Sequence, residues 1–249
     1  MVFFVGTIGL VLLAHAIAFF LHEYAHSFTA WALGWKPNPL ALHYGRLTVA
    51  NVLFQSEIDE DVNYTPIFAG HHDASAALIV LAGLFLGNAC LYGLCVLLAG
   101  IARCRTRFLF WLGLMGAANV WSYAPIRTLT THGDMAYLAQ GLHLSVWVLL
   151  PIVTLPSLLI SYSFFFGFLP PLWTSLFGNR ATQAVFSAGM IGFLYFGFFG
   201  GAGLFGNYGP IPALVSAASW LLLLPCSIVY CLLSLPGALS TRATFHTSA

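Results

Sequence analysis

Six long apolar runs, separated by shorter polar stretches, set the pattern of the chain. They cover residues 2–33, 74–102, 108–123, 144–168, 181–204 and 211–235. A helix needs about 20 largely apolar residues to cross the hydrocarbon layer. The pattern therefore predicts an all-α polytopic membrane protein with about six transmembrane helices. Pro151 and Pro156 are expected to kink or shorten the start of the fourth span. The fifth is rich in Gly and Phe, and Gly197 and Gly201 stand four apart, a spacing that lets helices approach closely.

Two connections break the pattern. Residues 34–73 form a polar loop holding five of the seven acidic residues: Glu57, Asp59, Glu60, Asp61 and Asp73. Inside it, residues 40–54 alternate around Gly45 with β-branched stretches, which predicts a short β-hairpin. Residues 124–143 contain Pro125, Arg127, His132, Gly133 and Asp134 and are too polar for plain lipid contact. Irregular backbone at membrane depth requires cover from protein or a water-filled cavity.

Composition narrows the class. Of 249 residues, 60% are apolar, eight are basic and seven acidic, for a net charge of +1. Soluble domains carry about a quarter charged residues, so a water-soluble enzyme and a disordered chain are excluded. Eight scattered cations make no basic face, which excludes nucleic acid as a partner. The lipid bilayer is the surrounding that remains. With six spans, Arg103, Arg105, Arg107, Arg180 and Arg242 share one side with both termini, and Lys36, Arg46 and Arg127 take the other. Positive charge on the inside then puts the termini in the cytoplasm. The five cysteines read as small buried hydrophobes. No cleavable signal is evident, and the ionisable residues of the first run argue for its staying in the mature chain.

The chemistry is concentrated at the end of the first run, where His22, Glu23 and His26 form an H-E-x-x-H motif. Residues four apart lie one turn apart on one helix face. Two imidazoles so placed can hold one zinc ion, and the glutamate beside them can take a proton from a water that the metal acidifies. Glu23 is the only acidic residue inside any of the six runs, where an ionised group is costly. A hydrolytic zinc takes three protein ligands and leaves one position open. Asp134, the only acidic residue after Asp73, suits the third; it could equally cap a helix over residues 135–142. His132, two residues away, is the alternative ligand, or a residue that orients Asp134 or a substrate carbonyl.

Other polar residues have blander readings beside the functional ones. His15, seven before His22, could line a water path, though a bond to a neighbouring helix is the commoner role. His71, His72 and Asp73 look like a ligand cluster or a polar cap at the foot of the second span. Asn119 needs a partner inside the third span, and a helix-to-helix hydrogen bond would supply one. Arg127 could neutralise the acidic loop or stand in water.

Four segments resemble the site-2 protease family of intramembrane zinc metalloproteases. Leu21–Gly34, LHEYAHSFTAWALG, looks like the family's metal-binding helix and its exit. Gly45–Asp59, GRLTVANVLFQSEID, resembles the loop after the first core helix in a bacterial branch. Ala82-Gly83 and then Asn88 echo a Gly- and Asn-containing helix, and Asn119, Pro125 and Asp134 look like the Asn-Pro-Asp region that supplies the third ligand. Here Ser122 stands where the family's proline would fall, and Gly133-Asp134 replaces Asp-Gly. The resemblance implies a three-helix metalloprotease core over residues 1–142, with a further three helices in 143–249. It implies that Asn119 helps bind the substrate backbone, and that the zinc lies nearer the cytoplasmic face, opposite to the charge count.

The expected function is zinc-dependent proteolysis within the membrane, with one Zn2+ per chain. His22, His26 and Asp134 would be the ligands, Glu23 the general base and a transmembrane protein segment the substrate. An edge strand within 40–54 could pair with the unwound substrate. Two other classes fit the same residues: an inactive relative that binds membrane helices as adaptor or chaperone, and a transporter with a metal or proton path through His15, His22, Glu23 and His26.

Overall fold

A computed structural model describes residues 1–101, 103–130, 132–177 and 180–235. Arg242, counted above among the positive charges, and Ala102, the end of the second predicted run, lie outside them. Five helices are long and apolar enough to cross a membrane: α1 (Val2–Ala32), α4 (Asp73–Gly100), α7 (Val146–Leu176), α8 (Ala181–Phe199) and α10 (Pro210–Ser234). They fit an integral, multi-pass membrane protein. The short helices are α2 (Val49–Phe54), α3 (Tyr64–Ala69), α5 (Arg107–Trp121), α6 (Asp134–Gly141) and α9 (Ala202–Phe205).

The predicted sixth span, 108–123, is not among these five. There the chain forms α5, of 15 residues, which continues as a wider turn through Ser122 and Tyr123, at the short end of what crosses a hydrocarbon layer. From Leu109 to Trp121 all but Leu112 are buried. A helix wrapped by protein is as apolar all round as one wrapped by lipid, so hydropathy does not separate the two. Helix α5 runs beside α1 in the same direction: the Arg107 guanidinium covers the Phe3 ring at one end, and Tyr123, just beyond α5, stacks on His22 at the other. Helix α4 runs opposite to both, Ile79 meeting His26 and Asn88 meeting His22.

Helices α7 and α8 close around α5 through aromatic contacts, and α10 packs on α8. Phe168 stacks on Phe110, Phe164 meets Tyr195, and Phe196 meets Trp121. Several of their polar side chains bond to one another or to backbone: Ser161 to Tyr195, Trp220 to the Gly197 carbonyl, Tyr230 to the Phe165 carbonyl. Gly197 and Gly201 both face Trp220 of α10. Pro151 and Pro156 lie within α7 rather than shortening it. The helix also continues to Leu176 through residues expected to be loop, widening into a π-helical turn at Ser163–Phe168.

The predicted hairpin does not form; the described residues contain no strand, only an isolated bridge between His43 and Asp59. The last six residues of 40–54 form α2 instead. Thr48 caps it by accepting from the Asn51 amide (3.1 Å), and the Asn51 side chain donates to the Tyr44 and Arg46 carbonyls and accepts from Glu57 N–H. One buried amide thus takes the bonds a ladder would have used. The loop folds back along α1. Ser27 donates to the Pro39 carbonyl, Tyr44 packs on Phe20, and Phe54 comes down beside His15. From Ser27 to His15 that is a descent of about 18 Å along the helix. Leu47, Val49, Val52 and Phe54 are exposed on its outer side. The chain then climbs again, and the Lys36 ammonium clasps it by donating to the carbonyls of Ala41, Glu60 and Asp61.

Candidate metal centre

His22 and His26 lie on successive turns of α1, both buried, with Nε2 atoms 3.0 Å apart. Asp134 Oδ2 lies 3.8 Å from each. Among the described residues these three are the one group of His, Cys, Asp or Glu side chains able to hold a metal ion. A point equidistant from the three ligand atoms lies about 2.1 Å from each, the length of a zinc bond to imidazole nitrogen or carboxylate oxygen.

The backbone delivers Asp134 to this point. Gly133, at φ 74°, takes the cap position of α6, and no side chain caps the helix. The helix starts one residue earlier than the capping alternative required, and Asp134, its first residue, turns to the histidines instead. Burial pushes the Asp134 carboxyl up, but the adjacent His26 and His22 outweigh it and hold it below the ordinary range. It is ionised when a cation arrives.

A second ring of contacts orients the ligands. His26 Nδ1 donates to the Ile79 carbonyl at 2.7 Å. A carbonyl only accepts, so the proton sits on Nδ1 and the Nε2 lone pair points to the centre. His22 Nδ1 lies 2.8 Å from the Asn88 side-chain amide, whose other end lies 3.2 Å from the Asn119 amide. A metal-ligating Nε2 requires the proton on Nδ1, so the Asn88 oxygen faces the ring and accepts from it. Asn119 therefore stands behind His22, tying α5 to α4. Asn88 belongs to a π-helical turn, Gly83–Ala89, a distortion common at functional sites. Its glycines admit the ligands: a Cβ on Gly83 would fall 2.1 Å from His26 Nε2, and one on Gly87 would fall 2.8 Å from His22 Cα.

Glu23 is buried beside His22, and the Glu60 carboxyl is among its acidic neighbours. Glu60 is delivered by the folded-back loop, and its half-buried position pushes its carboxyl up. Sequence reading missed it. It lies 37 positions from Glu23 in an acidic stretch that looks merely solvated, and only the return of the loop along α1 joins the two.

On the other side a cavity of about 200 Å³ opens onto Asp134, lined also by Tyr123, Arg127, Thr130, His132 and Tyr208. The Tyr123 hydroxyl bonds His22 Nε2 at 2.8 Å while its ring stacks on the imidazole. His132 stacks on Tyr208, ring centroids 4.9 Å apart, and is not part of the ligand group. Tyr208, from the turn before α10, carries no local signal in the sequence.

The other polar residues singled out in the sequence have structural surroundings of their own. His15 packs between Phe198 and Phe199, near the Phe54 backbone. His72 packs on Trp35, and Asp73 pairs with His143 at 3.1 Å, so these residues build no second ligand group among the described residues. The cysteines are all free; Cys95 and Cys231 are buried, whereas Cys90, Cys104 and Cys226 lie exposed on the outer surface. Comparison with known proteins finds no family model, no curated protein and no solved structure that matches the chain.

Proposed function

We propose that the chain is an intramembrane zinc metalloendopeptidase of the site-2 protease kind, cutting peptide bonds in or near transmembrane segments of other proteins. One observation carries the reading. Three ligand atoms are spaced for one zinc ion next to a buried glutamate, inside a bundle of apolar helices. A membrane protein does not bury such a set without use, because ionisable groups there are expensive.

Zinc held by His22, His26 and Asp134 would supply Lewis acidity to a carbonyl and acidity to a water. Glu23 takes the proton of the attacking water and returns it to the leaving amine. The Ile79 carbonyl and the Asn88 amide keep both imidazoles aimed at the centre. The Tyr123 hydroxyl, beside His22 Nε2, stands ready to donate to the oxygen on which charge develops. With no strand among the described residues, the strand-pairing route to substrate has no edge to use. The substrate reaches the site by displacing Glu60 from Glu23.

That contact also favours a second reading, an inactive relative that binds membrane helices with its glutamate covered. Zinc analysis and proteolysis of detergent-purified protein separate the two. The protease reading expects about one zinc per chain, lost in His26→Ala and in Asp134→Ala. It also expects cleavage of membrane-protein substrates by wild type and none by Glu23→Gln, which keeps its zinc. Cleavage surviving in Glu23→Gln, or wild type that takes up no zinc, overturns it.

A further inference from the structure

Arg127 has no part in the reading above, and its surroundings are unusual for a cation. It is half-buried, yet among the described residues no carboxylate lies within ion-pair distance of it. The loop carboxylates are engaged elsewhere: Glu57 with Arg46, Asp59 with His43, Asp73 with His143. Its own partners are neutral. Nε donates to the Ser122 carbonyl at 3.0 Å, one terminal nitrogen to Ser122 Oγ at 2.7 Å, and the other to the Tyr208 hydroxyl at 3.3 Å. The guanidinium lies over the Tyr123 ring, 3.7 Å from its centroid, and near that of Tyr208. A guanidinium has five N–H donors; three are used here. The group therefore keeps its full charge and two free donors in a place where counter-ions are scarce, and it lines the cavity that opens onto Asp134.

Resting on the protease reading, we propose that this cavity is a carboxylate subsite, in which Arg127 and the Tyr208 hydroxyl receive an anionic group of the substrate. Planar carboxylates match the guanidinium fork. The Asp134 carboxylate shares the cavity and acts on Arg127 at longer range, but it faces the two histidines and makes no ion pair with the guanidinium. Tyr123 lies between the guanidinium and His22, so Arg127 stands within about 9 Å of the His22 ring, two to three residues of extended chain at about 3.5 Å each. The subsite thus selects substrates with an Asp or Glu side chain, or a free C-terminal carboxylate, two to three residues from the bond that is cut.

The test reads binding in the zinc-loaded Glu23→Gln full-length protein, so that turnover does not enter. Four probes are titrated by calorimetry: N-acetyl-Leu-Leu, N-acetyl-Leu-Glu-amide, N-acetyl-Leu-Leu-amide and N-acetyl-Leu-Gln-amide. At least one acid should bind about tenfold more tightly than its neutral counterpart, and which acid does so distinguishes a terminal from a side-chain carboxylate. Adding Arg127→Gln should erase the difference with zinc content unchanged, and Arg127→Lys should retain part of it. If the glutamine variant does not fold, the lysine variant decides, and undiminished preference there overturns the proposal. Equal binding of acid and amide also overturns it. So does a preference that survives Arg127→Gln, which would put the carboxylate on the metal, or equal competition by inorganic phosphate, which would mark an unselective anion site. The two readings fail separately. Without the subsite, Glu23-dependent cleavage remains and the acid preference is absent; without the protease, the preference remains and no cleavage depends on Glu23.

Discussion

The first 142 residues and the three helices that follow use different materials. All seven acidic residues and seven of the nine histidines lie at or before Asp134, whereas between Leu144 and Leu235 the only charged side chain is Arg180. The first region joins its helices through polar side chains that converge on one point: His22 to Asn88 to Asn119, and His26 to the Ile79 carbonyl. The second joins its helices through Phe, Trp and Tyr rings, with a few hydroxyls and an indole bonded across to neighbouring helices and no common point of convergence. Association of helices in lipid is driven by close packing and a few hydrogen bonds rather than by burial from water. The two regions divide those means: one aims a site, and the other surrounds and supports the short helix α5 at its back.

The division can be broken at Gly83 first. Gly83→Ala forces a Cβ into the His26 ring, and zinc retention by purified protein should be lost altogether while helix content by circular dichroism persists. Gly189→Ala, on α8 with open space around the new Cβ, should keep all its zinc. Next in size is Phe164→Ala, which empties a fully buried site between α5 and α8. It should cost about 3–5 kcal/mol of stability, read by unfolding in mixed micelles, with about one zinc per folded chain still bound. If that variant instead loses zinc before it unfolds, the regions are not separable. Asn88→Ala removes the partner of His22 and should weaken zinc about 10–100-fold, measured by competition with a chelator.

The smallest effect belongs to the loop. Arg46 beside Glu57 holds that carboxyl down to about 2. Because the folded value is depressed, the tie is fully present above the ordinary glutamate range and is lost as pH falls towards about 2. Pepsin should therefore spare residues 43–59 near pH ~4 and nick them as pH approaches ~2. Arg46→Ala should already be nicked at the higher pH. Both groups are solvent-accessible, so the shift should be modest and should shrink with salt.

What the sequence disclosed depended on how far apart the partners lie. His22 and His26 announce themselves because helical spacing is local, and Asp134 because acidic residues are so few that a third ligand has few sources. Over 108–123 hydropathy does not distinguish a span from a core helix, because burial in protein and burial in lipid select the same side chains. The hairpin over 40–54 failed because Thr48 and Asn51 offer the backbone local partners that alternation does not weigh. Glu60, Tyr123 and Tyr208 were invisible for a third reason: each joins the site through a fold-back or a turn in another part of the chain, and no short window contains both partners.

The clasped loop has a consequence for timing. With Glu60 near Glu23 and Lys36 fastening the returning chain, the proposed protease would be shut in this form. A hydrolase in a bilayer meets its neighbours continuously by lateral diffusion, and an open base would act on whatever arrived. Here the observed rate would be the rate of the open form multiplied by the small fraction of time the clasp is released. Selectivity could then come less from which helices the site fits than from which ones linger long enough to find it ajar.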